Sequence, residues 1–451
     1  MMHLSQAARA IGAQMHGRDQ AFSGVSIDSR NIKPGDLFIA LHGEHFDGHE
    51  FAAQALAQGA VGVVAHRDVP VEGCVLRVAD TRLALGELAA YWRSQFVVPL
   101  VAITGSNGKT TVKEMLASIL RKDCDDDAEV LATQGNLNND VGVPLTLLQL
   151  RVAHRYAVIE MGMNHPGEIA YLTRIAQPTV ALVNNAAAAH LAGLGSVEAV
   201  ARAKGEIFEG LKPNGTAVIN GDDVHAPLWR KLAGERRTLE FGFQPSAAVT
   251  ARYALQAYGS ALRLITPQGE AQIELQVPGE HNVRNALAAV AAASALGVEI
   301  GIIAAGLERF AGVKGRLQRK AGMHGVTVID DTYNANPDSV QAAINVLAKT
   351  VGRKILVLGD MGELGEEGEA LHVAIGETAY RAGVDELYTL GELSASAARR
   401  FGARAHPYRE PGTLLDELRA ALRPGDTVLV KGSRFMRMER VVDALTAVEH
   451  A

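Results

Sequence analysis

Apolar residues in this chain fall into short unbroken runs separated by longer periodic stretches. The runs VGVVA (61–65), VPLVAIT (98–104), YAVIEMG (156–162) and PTVALVNN (178–185) have the length and β-branched content of strands buried on both faces. After VPLVAIT, the residues Val112, Met115, Leu116, Ile119 and Leu120 recur at i, i+3, i+4, i+7 and i+8, which predicts one buried face of a helix. Such alternation predicts βαβ units and a parallel sheet covered on both sides. It holds from residue 98 to about 317, where the alanine-rich helical stretch NVRNALAAVAAASALG falls. A second alternating block starts at GVTVIDD (325–331) and continues through KILVLGD and DTVLVKGS. Within it, the helix after Asn336-Pro337 presents Val340, Ala343, Ile344 and Leu347 on one face. The first ~80 residues differ, with short strand-like pieces such as DLFIAL and turn signals such as KPGD. The expected fold class is therefore α/β with three domains: a small mixed α/β domain (1–82), a central parallel-sheet domain (83–317) and a C-terminal doubly wound, Rossmann-like domain (318–451).

Composition narrows the class of function. At 451 residues the chain is too long for a single core. A formal net charge of -6 argues against a nucleic-acid partner, which usually demands a basic surface. No segment approaches the roughly 18 uninterrupted apolar residues of a membrane span, and no apolar core follows a basic start at the N-terminus as in a signal peptide. Cys74 and Cys124 are the two cysteines, far apart and without metal-ligand spacing, as expected for thiols in a reducing compartment. A cytoplasmic protein, expected to be a monomer, fits these features. The run Asp125-Asp126-Asp127 reads as a solvated loop.

The chemistry begins where VPLVAIT runs into TGSNGKTT (104–111). A strand that stops in glycines and opens a helix leaves unpaired N–H groups facing one spot. Gly105 and Gly108 let the backbone curl around an anion, with Ser106 and Asn107 between them. Lys109 adds a full positive charge, and Thr110, followed by Thr111, offers a hydroxyl suited to Mg²⁺. The usual G-x-x-x-x-G-K-[ST] loop has a glycine where this chain has Ile103, so this is a shortened variant. The central domain thus reads as a P-loop ATPase domain. The other glycine-rich turn, GDMGELGEEGE (359–369), carries acids and no cation and would repel a pyrophosphate. Phosphoryl transfer also needs cations between the β- and γ-phosphates. Glu160 ends the strand YAVIEMG, at the strand end where α/β sheets place ligands, and its carboxylate fits a magnesium site. His190 follows the next strand and reads either as a residue of the same crevice or as a structural histidine. Lys204, on a helical pattern, is by composition a surface lysine.

TGSNGKTT, EMGMNHPGEIA, NNAAAAHL with AKGEIF, and GEHNVRNALAA, taken in this order, resemble the Mur ligase family, enzymes that build the peptide of bacterial cell-wall precursors. SIDSR with KPGDLFIAL, GNLNNDVGVPLTLL, DDTYNANPDS and GDMGELG are similar to the motifs of the member that joins D-alanyl-D-alanine to UDP-N-acetylmuramoyl-tripeptide. The resemblance spans nearly the whole chain. It implies that residues 105–111 hold ATP phosphates, that Glu160 serves one Mg²⁺ and His190 a second, and that Lys204 matches a lysine several members carry as a carbamate. Whether Lys204 is carbamylated is left open by the sequence. It further implies that Asn282 contacts adenine, that Asn285 lies near the nucleotide, and that Arg316 and Asp331 reach phosphate and ribose when the third domain closes over ATP. Asp28, Ser29 and Arg30 match the uridine-side motif, arginine suiting a diphosphate; a surface turn is the rival reading of these three. Asn138 and Asn139 are implied for the muramoyl-peptide, and Tyr333, Asn334 and Asn336 for the dipeptide. The implied chemistry is ATP-dependent formation of an acyl phosphate, then attack by the dipeptide amine. Three other readings stand beside it. The family member that adds the third amino acid usually carries D-N-P-R where this chain has NANPDS. Folylpolyglutamate synthetase shares the loop but has no need of the Asp28-Ser29-Arg30 domain. A nucleotide-dependent binding module needs only one metal.

Overall fold

The computed structural model describes residues 1–44, 46–187 and 194–446. Its centre is a six-stranded, all-parallel sheet in the order Arg237–Phe241, Thr216–Asn220, Val180–Val183, Leu100–Thr104, Tyr156–Glu160, Val130–Ala132. Leu100–Thr104 lies in the middle with every residue buried, as its unbroken apolar run demands. The expected helix forms over Lys109–Asp123, and Val112, Met115, Leu116, Ile119 and Leu120 are all fully buried against one face of this sheet. Burial of each such side chain contributes roughly 1.5–3 kcal/mol. The alanine-rich helix Glu280–Ala295 packs beside it, its small side chains permitting close approach to the sheet. Because the strands are parallel, Thr104, Glu160, Val183 and Asn220 end on the same edge of the sheet. That edge is where the P-loop sits.

The C-terminal sheet is also six-stranded, ordered Gln318–Ala321, Thr327–Asp331, Thr427–Lys431, Lys354–Gly359, Glu386–Leu390, Ala405–Tyr408. All neighbours in it are parallel except the first pair. Val340, Ala343, Ile344 and Leu347 of the helix Pro337–Ala348 are buried, as their spacing predicts. The N-terminal region carries a five-stranded mixed sheet, with Gln14–His16 antiparallel to Cys74–Arg77 and the remaining neighbours parallel. Arg93, 3% exposed on the helix Thr81–Ser94, joins this region to the central sheet. Its guanidinium donates to the carbonyls of Ala176, Phe96 and Val98 at 3.0, 2.7 and 3.1 Å.

One element departs from the βαβ expectation for 98–317. Thr250–Leu255, Ser260–Thr266 and Gly269–Leu275 form a separate antiparallel sheet. In its middle strand Leu262 and Leu264 point inward and Arg263 outward, the alternation of a half-exposed strand rather than of a buried parallel one. Cys74 and Cys124 are free thiols. The acidic run lies in an exposed turn in which Asp127 pairs with Arg309 at 3.1 Å. Among the described residues no helix is long and apolar enough to cross a membrane.

Candidate active site

A cleft of about 1950 Å³ opens between the edge of the central sheet and the C-terminal sheet. This exceeds the ~300–1,000 Å³ of a pocket for one small ligand, so there is room for more than one substrate. Its floor is the P-loop. Gly108 adopts φ +79, a conformation glycine enters without strain, and a Cβ there would stand 2.2 Å from Oδ1 of Asn285. The loop is clamped from behind by two asparagines that follow the strand Val180–Val183. Asn185 Oδ1 accepts from the Asn107 amide at 2.8 Å, and Asn184 and Asn185 both donate to the Asn107 carbonyl, at 2.9 and 3.0 Å. The Ser106 hydroxyl accepts from the Ala187 amide at 2.9 Å. Asn184 also donates to Asn285 Oδ1 at 3.0 Å, and Asn285 donates to Asn282 Oδ1 at 3.3 Å, so a line of amides carries the position of the helix Glu280–Ala295 to the loop.

Four polar groups converge at the mouth of the loop. Lys109 donates to the Gly105 carbonyl at 2.7 Å. Its burial lowers the ammonium pKa, while Glu160 opposes that shift and Arg316 adds to it. Thr110 donates its hydroxyl to Glu160 Oε2 at 2.9 Å, and Arg316, arriving from the far side of the cleft, donates to the same hydroxyl at 3.0 Å. The Arg316 guanidinium stacks 4.3 Å over the Tyr333 ring, and its Nε has no partner among the described residues. A buried, unpaired guanidinium nitrogen facing a cleft is a donor awaiting an anion. Lys204 does not lie at the surface, as composition suggested. It is 1% exposed, because the helix Val197–Gly205 turns this face inward, and burial together with the neighbouring Lys109 pushes its ammonium pKa well below the usual lysine range. His190 lies outside the described residues.

The third wall is built from DDTYNANPDS. Asn336 caps the helix Pro337–Ala348 through the Ser339 amide at 2.9 Å and also donates across the cleft to Asn107 Oδ1 at 2.8 Å. Asp331 is held by Lys431 at 2.6 Å and by the Leu317 amide at 3.2 Å. Asn334 supplies a carbonyl to Lys431 at 3.0 Å and lines the cleft with Tyr333. Asn138 and Asn139 line it too, with their side chains already engaged. Asn138 donates to Glu160 Oε1 at 2.8 Å, and Asn139 accepts the Gly142 amide at 2.8 Å at the start of a helix. The acidic turn after Gly359 contributes Gly362 and Leu364 to the same wall. Asp28, Ser29 and Arg30 are not among the residues lining the cleft. Arg30 there folds back onto Asp28, Nε and Nη2 reaching the two carboxylate oxygens at 2.9 and 2.8 Å, while Asp28 caps the short turn Ser29–Asn31. This is the local geometry of the surface-turn reading, and it leaves the guanidinium largely exposed beside Ser29.

Several residues in the cleft or directly behind it were invisible to sequence reasoning. Asn184 and Asn185 are signalled only by their place directly after a strand in NNAAAAH. His281, beside Asn282, is neutral near pH 7 because burial pushes its pKa down to about 4. Lys431 pairs with an aspartate 100 residues away, a partnership no local motif announces.

The donor set can be tested against a divalent cation. Thr110 and Glu160 present hard oxygen ligands at one point. No cluster of three or more His, Cys, Asp or Glu side chains that could hold a metal exists among the described residues. The arrangement fits a magnesium ion that completes its shell with phosphate oxygens and water. Lys204 as a free amine offers such an ion no anion; as a carbamate it would.

Comparison with known proteins agrees with this geometry. Residues 103–293 match the Mur ligase middle domain, 315–434 the Mur ligase glutamate ligase domain, and 21–93 the catalytic domain of the Mur ligase family. The UDP-N-acetylmuramoyl-tripeptide–D-alanyl-D-alanine ligase of Escherichia coli K12 is 44% identical over 448 residues, 98% of each chain. A crystal structure of MurF from Acinetobacter baumannii shares the fold with a TM-score of 0.91 and 39% identity, covering 97% of both chains. The MurF ligase of Thermotoga maritima, solved in complex with ADP, gives a TM-score of 0.83 at 29% identity over 93% of this chain and 96% of that one. The chain belongs to the Mur ligase family.

Proposed function

We propose that this chain is an ATP-dependent ligase that joins D-alanyl-D-alanine to UDP-N-acetylmuramoyl-tripeptide in peptidoglycan precursor synthesis. The observation that carries the reading is the meeting of Lys109, Thr110, Glu160 and Arg316 in one cleft, with Arg316 contributed from the opposite wall. Residues 105–111 cradle the triphosphate with backbone N–H groups and the Lys109 ammonium. Asn282, Asn285 and Asp331 lie on the nucleotide's base and sugar side. Residues 1–82 take the uridine end through Asp28, Ser29 and Arg30, and residues 83–317 take ATP and, through Asn138 and Asn139, the muramoyl-peptide. Residues 318–451 close over ATP and receive the dipeptide against Tyr333, Asn334 and Asn336.

In the first step the terminal carboxylate oxygen of the tripeptide attacks the γ-phosphorus and the bond to ADP breaks. Lys109 and Arg316 spread the charge that develops. Thr110, Glu160 and a carbamylated Lys204, with His190, would hold magnesium, which supplies charge neutralisation between the phosphates when bound. In the second step the dipeptide amine attacks the acyl carbon, phosphate departs and the amine loses its proton. Closure of the third wall, bridged by Asn336 to Asn107, keeps water from the acyl phosphate. No enzyme nucleophile is required. Two of the three substrates, ATP and the UDP-linked tripeptide, are nucleotides, and both cysteines are unpaired; these features support a cytoplasmic setting.

The test is phosphate release from ATP and Mg²⁺. We expect release only when UDP-muramoyl-tripeptide and D-alanyl-D-alanine are both present. Release that ignores the dipeptide would leave nucleotide binding in place and remove the proposed acceptor.

A further inference from the structure

Beyond the threonines Thr110 and Thr111 of its first turn, the helix that opens at Lys109 buries valine, methionine, leucine, alanine and isoleucine, and one charged residue with them. Lys113, one turn beyond Thr110, is 1% exposed. A methionine would fill that space without the desolvation of an ammonium, so packing alone does not explain the lysine. Its Nζ donates to the Thr133 carbonyl at 2.6 Å and pairs with Glu114 at 2.7 Å. Thr133 follows directly on the strand Val130–Ala132, and its amide extends the ladder to the Val158 carbonyl at 3.0 Å. The Thr133 hydroxyl then accepts the backbone N–H of Glu160 at 2.9 Å. A continuous line of hydrogen bonds thus leaves the P-loop helix through Lys113, passes through Thr133 and returns to Glu160. The Glu160 carboxylate closes the circuit on Thr110, one turn from where it began.

Thr133 also begins the loop that leads to Asn138, whose amide holds the other carboxylate oxygen of Glu160. Both ends of that loop therefore act on one residue, Thr133 on the backbone of Glu160 and Asn138 on its carboxylate. We infer that Lys113 and Thr133 are positioning residues for Glu160: they fix the height of its backbone, so that the carboxylate meets the Thr110 hydroxyl at the mouth of the P-loop. Neither touches the reacting atoms. The inference rests on the proposed role of Glu160 beside the nucleotide and its metal.

The test compares Thr133→Val, which keeps the shape and removes the hydroxyl, with Thr133→Ser, which keeps the hydroxyl. The readout is the ratio of ATP dissociation constants measured by calorimetry in EDTA and in Mg²⁺, on the full chain without peptide substrates. Groups that orient a metal ligand typically contribute 10–100-fold to metal affinity, so Thr133→Val is expected to reduce the magnesium-dependent gain by about tenfold while ATP binding in EDTA stays near the parent value. Thr133→Ser is expected to recover most of that gain. A purely structural threonine would instead lower thermal stability in Thr133→Val and leave the ratio unchanged, which would overturn the inference. Lys113→Met, if it folds, is expected to behave like Thr133→Val. Glu160→Gln is the control that separates the two layers. If it too leaves the ratio unchanged, the reading of Glu160 fails, and the positioning role fails with it. Loss of dipeptide-dependent phosphate release in the parent protein would count against the ligase reading alone.

Discussion

Lys109→Ala is expected to lower dipeptide-dependent phosphate release by ~10²–10³-fold, the scale for removal of one preorganised charge-stabilising donor from a buried site. Lys109 is held against the Gly105 carbonyl within its own loop, feels the charges of Glu160 and Arg316, and repels the neighbouring Lys204 ammonium. On this assignment its contribution arises as negative charge builds on the transferring phosphoryl oxygens, where a part-buried ammonium is screened less than an exposed one. The fold is expected to survive, because among the described residues the ammonium donates only to carbonyls of its own loop, Gly105 and Ser106. Thermal unfolding alongside steady-state kinetics checks both halves. A variant that retained more than a tenth of the parent rate, or that lost activity through unfolding, would contradict the assignment.

The second large effect concerns Lys204. An ammonium 1% exposed, with another lysine as its neighbour, is an unfavourable charge. No ion-pair partner for it occurs among the described residues. The depressed pKa makes the neutral amine accessible nearer pH 7 than in a free lysine, and the neutral amine is the form that adds carbon dioxide, losing a proton to give a carbamate. The product is an anion that would sit favourably beside Lys109 and supply oxygen ligands. Activity is therefore expected to fall in buffers stripped of carbon dioxide and to return on addition of bicarbonate. Lys204→Arg keeps the charge and cannot form the carbamate; it is expected to lose about two orders of magnitude in rate and to gain nothing from bicarbonate. Indifference of the parent enzyme to bicarbonate, with a fully active Lys204→Arg, would exclude a carbamate.

How much of this was legible in the sequence depended on the range of the interactions. The helix face of Val112, Met115, Leu116, Ile119 and Leu120 and the strand VPLVAIT were readable, because both signals are periodic over a few residues and both are buried as their patterns require. The P-loop was readable for the same reason, since its glycines, lysine and threonine are contiguous. The small antiparallel sheet was missed because the alternation of Leu262, Arg263 and Leu264 is short and lies between two stronger α/β patterns. Polar partnerships were the least visible. Nothing local says that Asn138 will donate to Glu160, 22 residues further along the chain. The burial of Lys204 escaped composition because a lysine on a helix is usually solvated, and only the packing of Val197–Gly205 against the helices Glu168–Ala176 and Ala226–Ala233 reveals otherwise. Arg316 and Thr110 are 206 residues apart, and their contact exists only when the third wall stands over the P-loop.

The most direct measurement follows the oxygen atoms. UDP-muramoyl-tripeptide labelled with ¹⁸O in its terminal carboxylate is incubated with ATP, Mg²⁺, D-alanyl-D-alanine and the full chain, and both products are examined by mass spectrometry. Transfer through an acyl phosphate places one labelled oxygen in the released phosphate and leaves the other in the new amide carbonyl. Unlabelled phosphate, or phosphate released without a peptide extended by the dipeptide, would contradict the account.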